Sequence, residues 1–274
     1  AEAEPWMREV LDKRRRLLGD DHPSTLASMN SLAVLLRTQG NLADAQAVLV
    51  DLVAGCRRTL GAEHPHTLIA MNSLAVVLRA QNQLNEAEPL LRELLTLRRR
   101  VLPDRHPELA MGLVSLGLCL LDEGRASEAD PLCEEALSIF REAYPAAHPM
   151  TASAETAMGE VLLETGRASE AEPLLRDAVE VRTRTLPPEQ SWQTAESKSL
   201  LGACLVARGS FEEAEPLLLA ACEVMKQAKG APTQRKAKAR QRVIAYYEAR
   251  GQDEKAEQWR NEGLADSPAM EDEG

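Results

Sequence analysis

Histidine and cysteine are the side chains that could hold a metal or serve as base and nucleophile, so their spacing comes first. Four of the five histidines precede a proline, as His22-Pro23, His64-Pro65, His106-Pro107 and His148-Pro149, each 42 residues from the last. Four imidazoles at one interval suggest zinc, but geometry argues against it. Equivalent residues of successive units stand at least a helix-packing distance apart, about 8–10 Å, and zinc holds nitrogen at about 2.0–2.1 Å. His66 has no ligand partner near it in sequence. The remaining reading is a turn between repeats that leads into a helix. Cys56, Cys119, Cys133, Cys204 and Cys222 include no C-x-x-C pair and are odd in number, unlike a zinc site or a secreted disulfide framework. Cys119 and Cys204 share one repeat position among apolar neighbours, as small buried hydrophobes in a reducing cytoplasm would. No G-x-x-x-x-G-K-[ST], G-x-G-x-x-G, G-x-S-x-G or H-E-x-x-H occurs, so phosphate cradle, nucleophile elbow and zinc-protease pair are missing. The chain reads as a non-enzyme that uses no metal and no cofactor.

What the histidines do mark is a period. Glu4-Pro5, Glu88-Pro89, Asp130-Pro131, Glu172-Pro173 and Glu215-Pro216 keep the same step, with Gln46-Ala47 and Glu257-Gln258 in the other two slots and one residue inserted late. Self-similarity at this interval means stacked supersecondary units, which present a long concave surface to something else. Apolar residues make up 44% of the 274 and aromatics only 3%, so Leu, Ala, Val and Met must build the core. No apolar run approaches the roughly 18 residues of a membrane helix, and the chain does not open like a signal peptide. A net charge of −11 disfavours nucleic acid and anionic lipid as partners.

Each unit reads as two helices. In the second full repeat Pro65 suits a first helical turn, and Leu68, Met71, Leu74, Ala75 and Leu78 form one apolar stripe. Asn82 follows, with Gly40, Gly124, Gly166, Gly209 and Gly251 as its equivalents, the residue types that end helices in a left-handed conformation. Leu84, Ala87, Leu90, Leu91, Leu94 and Leu95 then mark a second helix. Its proline predicts a start just before Pro89, with Asn85, Ser127 and Ser169 as N-caps. The expected layout is a half repeat over 1–20, full repeats over 21–62, 63–104, 105–146, 147–189 and 190–231, a divergent capping repeat over 232–265 and a disordered acidic tail over 266–274. That is about thirteen helices and no strands. Because Ala3-Glu4-Pro5-Trp6 matches the second half of a repeat, the chain reads as a fragment of a longer protein or as a natural half-repeat cap.

These residues resemble the tetratricopeptide repeat, in a 42-residue form similar to kinesin light chain repeats, over residues 1–265. The small residue of the first helix is Ala33, Ala75, Gly117, Gly159 and Gly202. The leucine before it is Leu32, Leu74, Leu116 and Leu201, with Met158 in the fourth repeat. The alanine of the second helix is Ala45, Ala87, Ala129, Ala171, Ala214 and Ala256. Leucine replaces the family's aromatic residues at Leu36, Leu78, Leu120, Leu162 and Leu205, the fifth repeat has Ser191-Trp192 in place of His-Pro, and the sixth carries Ile244 and Arg260 in small and apolar slots. The resemblance implies an all-α, right-handed superhelical solenoid whose first helices line a concave, peptide-binding groove.

By that resemblance the inner face carries Asn30, Val34 and Arg37, then Asn72, Val76 and Arg79. Val114, Leu118 and Leu121 follow, then Thr156, Glu160 and Leu163, then Ser199, Ala203 and Val206. Asn can bond a peptide backbone, Arg can fork onto a carboxylate, and the middle suits an apolar anchor. The bland alternative is that these are tolerated exposed or inter-repeat positions. Arg14-Arg15-Arg16, Arg57-Arg58, Arg98-Arg99-Arg100, Arg182 and Arg184 fall at the ends of second helices, where cations complement the helix dipole on a solvated face. Lys226, Lys229, Arg235, Lys236, Lys238, Arg240 and Arg242 occur with no acid between them. They read as a solvated cap, or as a basic patch that docks an acidic peptide or the chain's own Glu271-Asp272-Glu273. The expected function is a protein-interaction scaffold with a protein or peptide partner, and no membrane, nucleic acid or small molecule. The alternatives are a docking arm of a larger kinase or NTPase, and nucleic-acid binding through 226–242.

Overall fold

The computed structural model describes residues 3–145, 147–187, 191–228 and 230–265. Lys229 and the tail read as disordered lie outside the described residues. A lone helix α1 (Ala3–Leu18) precedes six pairs: α2 (Pro23–Gln39) with α3 (Leu42–Thr59), α4 (Pro65–Ala80) with α5 (Leu84–Val101), α6 (Pro107–Asp122) with α7 (Ala126–Ala143), α8 (Pro149–Glu164) with α9 (Ala168–Thr185), α10 (Ser191–Ala207) with α11 (Phe211–Gln227), and α12 (Thr233–Ala249) with α13 (Asp253–Ala265). Consecutive helices pack on one another along the chain, which makes an all-α solenoid. No strand occurs among the described residues, and no helix there is long and apolar enough to cross a membrane.

The His-Pro pairs start the first helices. Each histidine is the N-cap and each proline the first helical residue. The imidazole Nδ1 accepts the backbone N–H two residues on: Ser24 at 3.1 Å, and His66, Glu108 and Met150 at 3.2 Å. An N-terminal donor that helical geometry leaves unpaired is thereby satisfied. Each first helix ends on a left-handed residue, with φ of 85° at Gly40, 61° at Asn82 and 76° at Gly124. The N–H of Gly40 bonds the Arg37 carbonyl, and that of Asn41 bonds the Leu36 carbonyl, the double closure of a Schellman turn.

That closure corrects the expected start of the second helices. They begin at Leu84, Ala126 and Ala168, so Asn85, Ser127 and Ser169 lie inside the helix. Gln83, Arg125 and Arg167 hold the cap position without a side-chain bond. The turn delivers the chain straight into the next helix, so no capping side chain is called for. Pro89, Pro131, Pro173 and Pro216 consequently sit at the sixth helical residue rather than the first turn. Each removes one backbone bond on an exposed face, where water can take the freed carbonyl.

The core is aliphatic and continuous over most of the length. Ala45, Ala87, Ala129, Ala171, Ala214 and Ala256 are fully buried. Opposite them the small residues of the first helices allow close approach: a Cβ on Gly117 would stand 2.5 Å from Cys133 Sγ, and one on Gly159 2.6 Å from Leu175. All five cysteines are buried and unbridged.

The arginines at the ends of second helices divide into two sets, which corrects the uniform solvated reading. Arg98 and Arg182 are buried and Arg14 is half-buried. They donate to the carbonyls of Glu108 (2.6 Å), Gln193 (2.7 Å) and Ser24 (2.9 Å), tying each second helix to the first helix that follows. At the following position of the repeat Arg15, Arg57 and Arg99 reach across a repeat near the surface, to Asp51 (3.2 Å), Glu93 (2.9 Å) and Glu135 (3.1 Å).

Candidate functional site

The first helices carry the residues expected on the concave side, and the structure sorts those residues into an open half and a filled half. In the open half, α2 and α4 set Asn30, Val34, Arg37, Asn72 and Val76 around one cleft of about 150 Å³, with Ala33, Leu49 and Ser73 completing its wall. Val34 is exposed and the other four are half-buried. The Asn72 Oδ1 accepts from Ser115 Oγ at 3.2 Å, which leaves its amide nitrogen for another partner. Arg37 makes no ion pair among the described residues. Burial alone pushes its guanidinium below the ordinary arginine value, because a partly desolvated cation without a counter-ion is disfavoured.

Arg79 stands at the boundary between the halves. Its Nη1 lies 3.5 Å from Asp122 Oδ2, yet that nitrogen is buried without a hydrogen-bond partner. Burial pushes it down, Arg235 adds to that, and Asp122 opposes both. Val114, Leu118 and Leu163 are half-buried against the core, as is Val206, and Leu121 is buried.

In the filled half, the expectation of exposure at Thr156, Glu160 and Ser199 is corrected: all three are buried. Thr156 is enclosed by α8 and α10, while α12 lies over Glu160 and Ser199. Arg235, Lys238 and Arg242 are three and four residues apart, hence on one face of that helix, and they point into the concave side. Arg235 Nη1 donates to both Glu160 oxygens at 2.8 and 2.6 Å, and its Nε lies 3.2 Å from Glu196. Lys238 bridges Asp122 (2.8 Å) and Glu160 (3.1 Å). Arg242 donates to Ser199 Oγ at 3.3 Å and stands 3.6 Å from Glu160. Thr156 Oγ1 is held by Ala152 and Ser197. Burial raises the Glu160 carboxyl, but Arg235, Lys238 and Arg242 outweigh it and hold that carboxyl well below the usual carboxylate range. Arg235 is pushed down by burial and raised above its ordinary value by Glu160, Glu196 and Asp122.

The basic segment is therefore not one solvated surface. Arg235 is buried, and Lys238 and Arg242 are half-buried with their charged ends on concave-side acids, while Lys226 is exposed and Lys236 and Arg240 are half-buried. Lys236 Nζ reaches the Lys226 carbonyl at 3.5 Å. The link into α12 also meets the other end of the solenoid: a Cβ on Gly230 would stand 3.0 Å from the Thr38 carbonyl oxygen at the end of α2. Three carboxylates, Asp122, Glu160 and Glu196, thus serve Arg79, Arg235, Lys238 and Arg242. Arg37 faces the open cleft beyond them. The arrangement can bind a peptide backbone and an anionic group. The four capping histidines are spread over four separate helix starts, and no group of three or more His, Cys, Asp or Glu among the described residues is placed to hold a metal.

Family models of the tetratricopeptide repeat match residues 1–24, 25–66, 67–108, 108–184 and 156–232. No curated protein matches the chain. Among solved structures, the nearly identical TPR-like repeats of a putative kinesin light chain from Podosopora anserina are 27% identical, with 75% of this chain and 97% of that one covered and a TM-score of 0.58. NprR in complex with its cognate peptide NprX is 14% identical over 94% of this chain and 71% of that one, with a TM-score of 0.64. A Rap protein complexed with Competence and Sporulation Factor is 14% identical over 96% and 76%, with a TM-score of 0.61.

Proposed function

This chain belongs to the tetratricopeptide repeat family, and from that premise we propose that it is a non-catalytic scaffold that captures an extended peptide in the open half of its concave face. The observation that carries the reading is Arg37, a half-buried cation without a counter-ion among the described residues, on the wall of a cleft that also holds Asn30 and Asn72. A partly desolvated arginine gains most from a carboxylate, which it can meet through two parallel N–H bonds. Asn30 and the free amide nitrogen of Asn72 suit the ligand backbone. Val34 and Val76 supply apolar contact beside them. Because α12 lies over Glu160 and Ser199, the ligand footprint covers the first two full repeats and stops near Arg79. Affinity then rests on a few anchors rather than on groove area. The complex of NprR with its cognate peptide supports such a use of the fold, and leaves the ligand's sequence open.

The test is capture from cell extract, with proteins identified by mass spectrometry. The chain is compared with the triple variant Asn30→Ala, Arg37→Ala and Asn72→Ala after circular dichroism establishes equal helicity. Arg79 is kept, because its change would disturb Asp122 and the network behind it. The reading expects at least one partner to be lost from the variant alone. Partners retained equally by both would remove recognition from this cleft.

A further inference from the structure

The cross-repeat ion pairs Arg15–Asp51, Arg57–Glu93 and Arg99–Glu135 mark one place on successive seams between units. A methionine of the first helix lies beside that place. Met29 lines the same cleft as Arg15 and Asp51, and Arg57 Nη2 stands 3.6 Å from Met71 Sδ. Leu113 holds the third such position, and all three side chains are buried. On the fourth seam Glu155 takes the slot, and Arg141 turns to it at 3.2 Å. On the fifth, between α9, α10 and α11, all three positions change. Thr183 stands in the place of the arginine, Ala220 in that of the acid and Lys198 in that of the methionine.

These changes leave a cleft of about 270 Å³. Its wall is mostly apolar, with Leu186, Pro187, Ala195, Ala221 and Val224 beside Ala220. Two cations line it, half-buried Lys198 and buried Arg182. Neither makes an ion pair among the described residues. Arg182 donates to neutral oxygens of Gln193, Ser197 and Ser153. Burial pushes its guanidinium below the ordinary value, with Glu196 opposing. The first seam is also a cleft, but there Arg15 and Arg58 face Asp51, Asp20 and Asp21.

We infer that the cleft between α9, α10 and α11 binds a small molecule that carries a carboxylate on a short apolar chain. A partly desolvated cation without a counter-ion gains from an anion, and such a charge-assisted bond is about twice as strong as a neutral one. The apolar wall buries the chain, which a bare inorganic anion would leave unused. The volume lies just below the range of about 300–1,000 Å³ for small-molecule sites, so the ligand is of amino-acid or short fatty-acid size. The expectation of no small-molecule partner missed this cleft because departures from a repeat carry no motif. Nothing in the proposal depends on what the concave cleft binds.

Hexanoate is the probe, titrated into the full chain and followed by amide NMR. The amides of Thr183, Lys198 and Val224 should shift saturably. Acetate, which lacks the chain, and hexanol, which lacks the charge, should each bind at least about tenfold more weakly. Lys198→Met restores the side chain of Met29 and Met71, so helicity should be equal and Tm no lower, while hexanoate binds at least about tenfold more weakly. Ala220→Glu restores the acid of the repeat beside Lys198 and should weaken hexanoate as much. Hexanoate bound equally by wild type and both variants, or no saturable shift around the cleft, would overturn the proposal. So would binding that appears only in Glu189→Gln. That acid, two residues ahead of α10 and outside the described residues, would then be the partner of Lys198.

Discussion

Arg37 and Arg235 stand in opposite settings: half-buried Arg37 has no carboxylate partner among the described residues, whereas buried Arg235 lies against three. Removing one partner from a buried ion pair leaves the other charge uncompensated, which costs about 3–5 kcal/mol. Glu160→Gln should therefore destabilise the chain at neutral pH. The pH dependence follows from the lowered Glu160 carboxyl. A carboxyl with a depressed folded-state value contributes stability that is fully present above its unfolded value, about 4.3, and is lost as pH falls toward the folded one. The Tm gap between wild type and Glu160→Gln should thus be wide at pH 6 and narrow toward pH 3. A gap constant across that range would mean that the cations of α12 do not hold this carboxyl. None of this was legible locally. Lys238 finds Asp122 116 residues away, and Arg235 finds Glu160 75 residues away. The sequence showed only a basic run without nearby acids, which reads equally well as a solvated patch.

At the scale of the element, helix ends were legible to different degrees, and the reason is chemical. Glycine at Gly40, Gly124 and Gly166 announces a left-handed turn because few other residues adopt that conformation cheaply. The His-Pro pairs placed the first helices through proline, yet the histidine's own role stayed hidden, because imidazole is not among the favoured N-cap side chains. The second helices carry tempting caps at Asn85, Ser127 and Ser169 that the Schellman turn makes unnecessary. The imidazole caps can be weighed directly. His64→Ala should cost about 0.5–2 kcal/mol, the range for losing a capping side chain, and His64→Asn should recover most of it. Urea denaturation of the three chains would decide this, and equal midpoints would show that the Nδ1 bond contributes nothing.

Across the whole molecule, two kinds of charge pairing hold the repeats in line, and salt separates them. Arg15–Asp51, Arg57–Glu93 and Arg99–Glu135 are exposed, and such pairs contribute about 0–1 kcal/mol each before screening. The network around Glu160 is buried and little screened. Raising sodium chloride to 1 M should lower Tm by only a few degrees and leave exchange of the α12 amides unchanged. Faster exchange confined to α12 would mean that its docking is a surface contact. This network also bears on the proposed function, since α12 covers Glu160 and Ser199 on the concave side and leaves the cleft between α2 and α4 open. The most direct measurement is calorimetric titration of the peptide captured by the chain into wild type and Arg37→Ala. A hydrogen bond to a charged group contributes about 1.5–3 kcal/mol, so the account predicts binding at least about tenfold weaker in the variant, with unchanged helicity. Equal affinity for both chains would contradict it.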